Sequence, residues 1–259
     1  PIQSGAYSLS ENYLYTVESI REILDRLRPG GVILISRWLQ QPPSEWLRSF
    51  TTVVSALDEE GLDAGKNLVA FRTYNTGYLL ITNTPYTPET LKIVRQAFVE
   101  RAYDIDYAPD IQEGEINRFN ILKEPIYYQE FISFFSAKSR TDYYSQYPYD
   151  ITPVTDNHPF FGHYFKWSQV PFILRQLGVT WQPFGGAGYL VVIFIFILVL
   201  FLSAVFILLP LFLLQVRGSH KTVIENRLDK NSLYVLGYFA LLGLGYLLVE
   251  IPLIQQFIL

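Results

Sequence analysis

The stretch LRPGGVILIS, residues 27–36, sets a helix stop directly against a strand start. Pro29 cannot continue a helix, and Gly30 and Gly31 supply the turn that follows it. Val32 to Ser36 is almost continuously apolar, the pattern of a parallel strand covered on both faces. Upstream, Ser8 and Glu11 have capping-box spacing, and Leu14, Val17, Ile20, Leu24 and Leu27 recur at helical intervals. Downstream, Pro43 and Ser44 open a helix that runs to about Glu60 and closes at Gly61. Leu68 to Arg72 and Tyr78 to Thr82 predict two strands around Asn75, Thr76 and Gly77, a hairpin signal. Thr87 as N-cap and Pro88 at the first helical position begin a further helix, to about Ala102. This order predicts an α/β sheet, parallel at first and closed by an antiparallel pair.

Composition divides the chain. Of 259 residues, 17% are charged, against about 25% in an average soluble protein. Residues 1–187 hold 37 of the 44 charges, and residues 188–259 hold seven. The predicted organisation is therefore an α/β domain over 1–187, with an aromatic-rich C-terminal extension, and a second region over 188–259. The absence of Cys excludes thiolate metal sites, disulfides and a cysteine nucleophile from this sequence. A net charge of -4 argues against nucleic acid as a partner. Because it begins at Pro1 and ends in an apolar run at Leu259, the sequence reads as an internal piece of a longer protein.

Tyr189 to Leu214 is a run of 26 residues without a charge, long enough as a helix to cross a hydrocarbon core of about 30 Å. A second run from Leu233 to Leu259 is charged only at Glu250. The pair predicts a transmembrane hairpin, with helices about 189–215 and 233–259 joined by a linker carrying Arg217, Lys221, Arg227 and Lys230. Trp181, Tyr189, Tyr234 and Tyr238 suit interfacial anchoring, and Gly237, Ala240 and Gly243 suit close helix packing. Glu250 and Gln255 form a polar site at membrane depth. The expected partners are the lipid bilayer and further transmembrane helices of the same chain.

Three segments carry a family resemblance: SLSENYLYTVESIREILDRLRPGGVILISRW (8–38), DITPVTDNHPFF (150–161) and YFALLGLGYLLVEIPLIQQFIL (238–259). Together they resemble bacterial integral membrane proteins with a spermidine-synthase-like (polyamine aminopropyltransferase-like) domain. The resemblance departs at His158, where the family favours Arg. It implies the C-terminal half of a Rossmann-like class I methyltransferase fold, location in the bacterial inner membrane, and S-adenosylmethionine or its decarboxylated form as cofactor. No G-x-G-x-x-G motif occurs, so no cofactor-binding residue is assigned. Gly185, Gly186 and Gly188 precede an apolar helix rather than follow a strand.

Glu11, Asn12, Tyr13 and Tyr15 fall where that fold class opens its pocket, and carboxylates suit a cationic polyamine. Arg37 and Trp38 end the central strand. Asp150, Asp156 and His158 lie in a Tyr-, Pro- and Asp-rich stretch whose aromatics suit cations. Asp156, His158 and His163 make a poor metal set, because Pro159 and Gly162 interrupt the histidine spacing. Three functions stay open: aminopropyl transfer to a polyamine, S-adenosylmethionine-dependent methyl transfer, and transport or sensing through a non-catalytic domain. No catalytic residue is assigned.

Overall fold

Thr16 opens the first helix, α1 (Val17–Arg26), where its side-chain oxygen accepts from the Ser19 N–H. Leu14, Tyr13 and Tyr15 form instead a short 3-10 turn, Tyr13–Tyr15, capped by Asn12. In the computed structural model the described residues are 10–171, 175, 188–217 and 230–258. Ser8, half of the expected capping box, lies outside them, as do Trp181, Gly185, Gly186 and the linker residues Lys221 and Arg227. After α1 come β1 (Val32–Trp38), α2 (Glu45–Glu59), α3 (Ala64–Asn67), β2 (Leu68–Arg72) and β3 (Thr76–Thr82). They are followed by α4 (Pro88–Glu100), β4 (Asp104–Tyr107), α5 (Ile126–Ser136) and α6 (Arg140–Gln146). Gly30 and Gly61 both take positive φ, at +75° and +71°, which is why these two helix exits use glycine.

The four strands lie in the order β1-β3-β2-β4, and every neighbouring pair is antiparallel. This corrects the expected Rossmann-like parallel arrangement. The chain is mixed α/β around a small antiparallel sheet. β1 and β2 do run in the same direction, but β3 folds back from the hairpin and takes the place between them, pairing Ile35 with Leu79 and Leu79 with Ala70. Nor is β1 covered on both faces. Ile35 is buried, whereas Val32 is 51% and Leu34 57% exposed, so the apolar run alternates as an edge strand does.

One face of the sheet carries the larger core. Ile35, Leu68, Ala70, Leu79 and Ile81 pack with Val17, Ile20 and Leu24 of α1, Phe50, Val53 and Leu57 of α2, and Phe131 and Phe134 of α5. Each Val, Leu, Ile or Phe among them contributes roughly 1.5–3 kcal/mol on burial. α2 approaches the strands closely because Gly77 of β3 offers no side chain: a Cβ there would run into the Trp46 indole. On the opposite face, Val69 and Phe71 meet Leu91 and Phe98 of α4 and Ile105 of β4.

The chain divides into two units, Pro1–Val192 and Ile193–Leu259. Two long helices occupy its last part, α7 (Gly188–Arg217) and α8 (Lys230–Ile258). Many of their large side chains, from Phe194 to Leu202 and from Tyr238 to Leu253, are exposed. Among the described residues, however, no helix is long and apolar enough to cross a membrane. That overturns the expected transmembrane hairpin. The second helix also carries a carboxylate, Glu250, within its apolar run. The side chain of Gln255 lies outside the described residues.

A buried polar knot closes the far edge of the sheet. Arg72 donates to the Asn120 carbonyl and the Asn117 side chain, and lies 3.2 Å from Asp106 and 3.7 Å from Asp104. Burial raises the Asp106 carboxyl to about 7 against the pull of Arg72. For Asp104 burial also acts upward, but the N–H groups of Phe119 and Asn120 outweigh it and hold the carboxyl below its ordinary value. A carboxyl raised on folding stabilises the native state below its unfolded pKa and loses that contribution as pH rises through the folded one. Stability should therefore fall as pH rises from about 4 through about 7. Urea midpoints across that range should lose this slope in Asp106→Asn, while the acid limb due to Asp104 remains. Gly77→Ala should cost about 1–3 kcal/mol through overpacking against Trp46, read by the same titrations.

Candidate functional site

The C-terminal end of β1 collects most of the sequence-derived candidates, and a buried cation one turn into α2 is what assembles them. Arg48 is 1% exposed, yet its guanidinium donates to the carbonyls of Thr152, Phe160, Phe161 and His163, and Asp150 lies 3.5 Å away. Beside it Thr51 donates to the Ile151 carbonyl, and Thr52 accepts from the Val154 N–H. The whole 150–163 stretch is thus laid along α2. Its passage is completed by α1, whose first N–H, on Val17, donates to the Val154 carbonyl at 2.8 Å. Asn12 donates to the Pro159 carbonyl at 2.7 Å, and the Asp156 N–H to the Glu18 carboxylate at 2.9 Å.

These bonds bring the turn at Glu11–Tyr15 against the turn at Thr155–His158. Glu11 accepts a hydrogen bond from the Tyr13 phenol at 3.0 Å. That bond, with the charges of Glu11 and Asp156 nearby, raises the Tyr13 phenol above its ordinary value. Glu11, Tyr13 and Asp156 are all exposed, so the locale is a solvent-facing acidic edge with a tyrosine beside it. His158 is exposed as well, its ring edge-on to Phe160.

Beneath this edge lies Arg37. Its side chain is on the covered face of β1, with the guanidinium 3.6 Å from the Tyr15 ring centroid and 4.6 Å from that of Phe161. Nη1 donates to the Ser36 carbonyl, and Glu45 stands 3.5 Å from Nε. Two other candidates fall elsewhere. Trp38 alternates to the opposite face of the strand and is 48% exposed there. Asp150 is committed to Arg48 and to an Asx turn, accepting from the Thr152 N–H and hydroxyl.

Sequence reasoning missed Glu18, Glu45 and Arg48. For Arg48 a signal exists: it interrupts the apolar residues Trp46, Leu47, Phe50, Val53 and Val54, where a charge must find buried partners. Burial and the adjacent Arg48 hold the His163 imidazole below its ordinary value. Among the described residues no group of three His, Asp or Glu side chains could hold a metal ion. The loop after β1, Leu39-Gln40-Gln41-Pro42-Pro43, contains no glycine. A glycine-rich cradle for a nucleoside cofactor follows the first strand of its fold, and no strand among the described residues is followed by one. No protein-family model, no curated protein and no solved structure matches the chain.

Replacing Arg48 by Met should leave four carbonyls and Asp150 without their donor. We expect a loss of about 3–5 kcal/mol. Limited proteolysis should then cut first within residues 150–163, ahead of any cut in the sheet.

Proposed function

We propose that the α/β unit recognises a cationic polyamine at the edge formed by Glu11, Tyr13 and Asp156, as the acceptor-binding part of a spermidine-synthase-like transferase. The observation that carries this reading is the convergence of two separate turns, 130 residues and more apart in sequence, on one exposed acidic and aromatic edge. Two carboxylates in such an edge offer one acceptor to each ammonium group of a diamine, and charge-assisted hydrogen bonds are about twice as strong as neutral ones. The Tyr13 ring offers a face to the methylene chain or an ammonium.

An amine must shed a proton before it can act as a nucleophile. In this reading Glu11, a hydrogen-bond acceptor toward Tyr13, takes it. The reading is limited to binding and orienting the amine.

Calorimetric titration of the full chain with putrescine tests it. Saturable binding is expected, weakening as salt is raised. The Glu11→Gln, Asp156→Asn double variant should bind on the order of tenfold less tightly. No saturable heat at low salt would sink the proposal.

A further inference from the structure

Arg37 is the group at this site whose chemistry is left unused. The Tyr15 and Phe161 rings lie against its guanidinium, but aromatic rings do not satisfy its N–H groups, which lie in the guanidinium plane. In that plane Nη1 donates to the Ser36 carbonyl. Nε and Nη2 are buried and have no hydrogen-bond partner. They share one edge of the guanidinium, the fork that grips a carboxylate with two parallel bonds. Glu45, at 3.5 Å from Nε, balances part of the charge without filling the fork. A buried donor left open costs free energy, and an open pair is unusual enough to require a purpose.

The covering side offers a route in. Tyr15 is only half-buried and ends a three-residue turn in which no residue is buried. Arg37 also poses a difficulty for a plain diamine, because a buried cation behind Glu11 and Asp156 repels it. A ligand that carries its own carboxylate removes that repulsion. We propose that Arg37 receives the carboxylate of the ligand, so that the site takes an amino-acid-like molecule, ammonium groups toward Glu11 and Asp156 and carboxylate on the Nε–Nη2 fork. This rests on the acidic edge being a ligand site and adds the second half of the ligand.

Ornithine and putrescine form the matched pair of probes, since they differ by one carboxylate. With the full chain, ornithine should bind tighter than putrescine by on the order of tenfold. In Arg37→Gln that ratio should collapse toward one. Arg37→Lys, which keeps the charge and guards against a simple folding defect, should recover part of it, with near-ultraviolet circular dichroism reporting the fold of each variant. Glu45→Gln should raise the ratio by removing the competing charge. If putrescine binds and ornithine binds no better, the Arg37 assignment is overturned while the polyamine reading stands. Ornithine binding that depends on Arg37, with no putrescine binding, supports the assignment and removes the polyamine reading. A wild-type preference unchanged in Arg37→Gln shows that the fork belongs to Glu45 and overturns the assignment, and so does the absence of binding by both probes.

Discussion

A guanidinium cannot enter a protein core unless its donors find acceptors, and Arg48 meets that condition by gathering four backbone carbonyls from residues 152–163. The obligation runs both ways. Those carbonyls belong to an irregular segment rich in Pro and Asp that has no ladder or helix of its own to satisfy it. α2 supplies the missing donors through Arg48, with Thr51 and Thr52 dividing the next contacts between them. Once the segment is fixed, its turn at Thr155–His158 meets Glu18 and Asn12, and Phe161 comes to rest over Arg37. The acidic edge is thus a product of a buried structural cation rather than of any single strand or loop.

The two arginines divide the work by how completely they are satisfied. Arg48 is saturated and therefore architectural. Arg37, eleven positions earlier and on the neighbouring strand, has two aromatic rings against it and two buried N–H groups, on Nε and Nη2, without a hydrogen-bond acceptor. Residue type and burial alone do not separate such roles. The in-plane count of acceptors does.

Local signals carried much of the element order. The Pro29-Gly30-Gly31 stop, the Asn75–Gly77 hairpin and the Thr87-Pro88 helix start all act within a few residues, and helices and strands appear where they indicate. Pairing direction was not legible, because β3 lies between β1 and β2 with its Gly77 against Trp46 of α2, a contact between distant residues. β4, α5 and α6 were missed for a related reason: the buried Asp104 and Asp106 disguise a strand, and tyrosines disguise the helices. The apolar helices were legible as helices, α7 and α8, but not as a membrane hairpin. At the site, the resemblance motifs pointed to Glu11, Tyr13, Asp156 and Arg37, while the separation of Trp38 from Arg37 follows from strand alternation that an apolar run concealed. Asp150 looked like a ligand carboxylate, and its commitment to Arg48 required knowing where α2 lies.

The bonds from α2 to the 150–163 segment span 100 to 115 residues of sequence. Contacts of such separation form late, since a long loop must close before they yield anything. During synthesis, α1, β1 and α2 therefore emerge with Arg48 unpaired and the N-terminus of α1 uncovered until the ribosome has released the chain beyond His163. At about 5–20 residues per second that interval lasts several seconds, with Val32 and Leu34 exposed on an edge strand throughout. The completion of the buried cation's shell therefore waits on the arrival of a loop rather than of a helix or a strand.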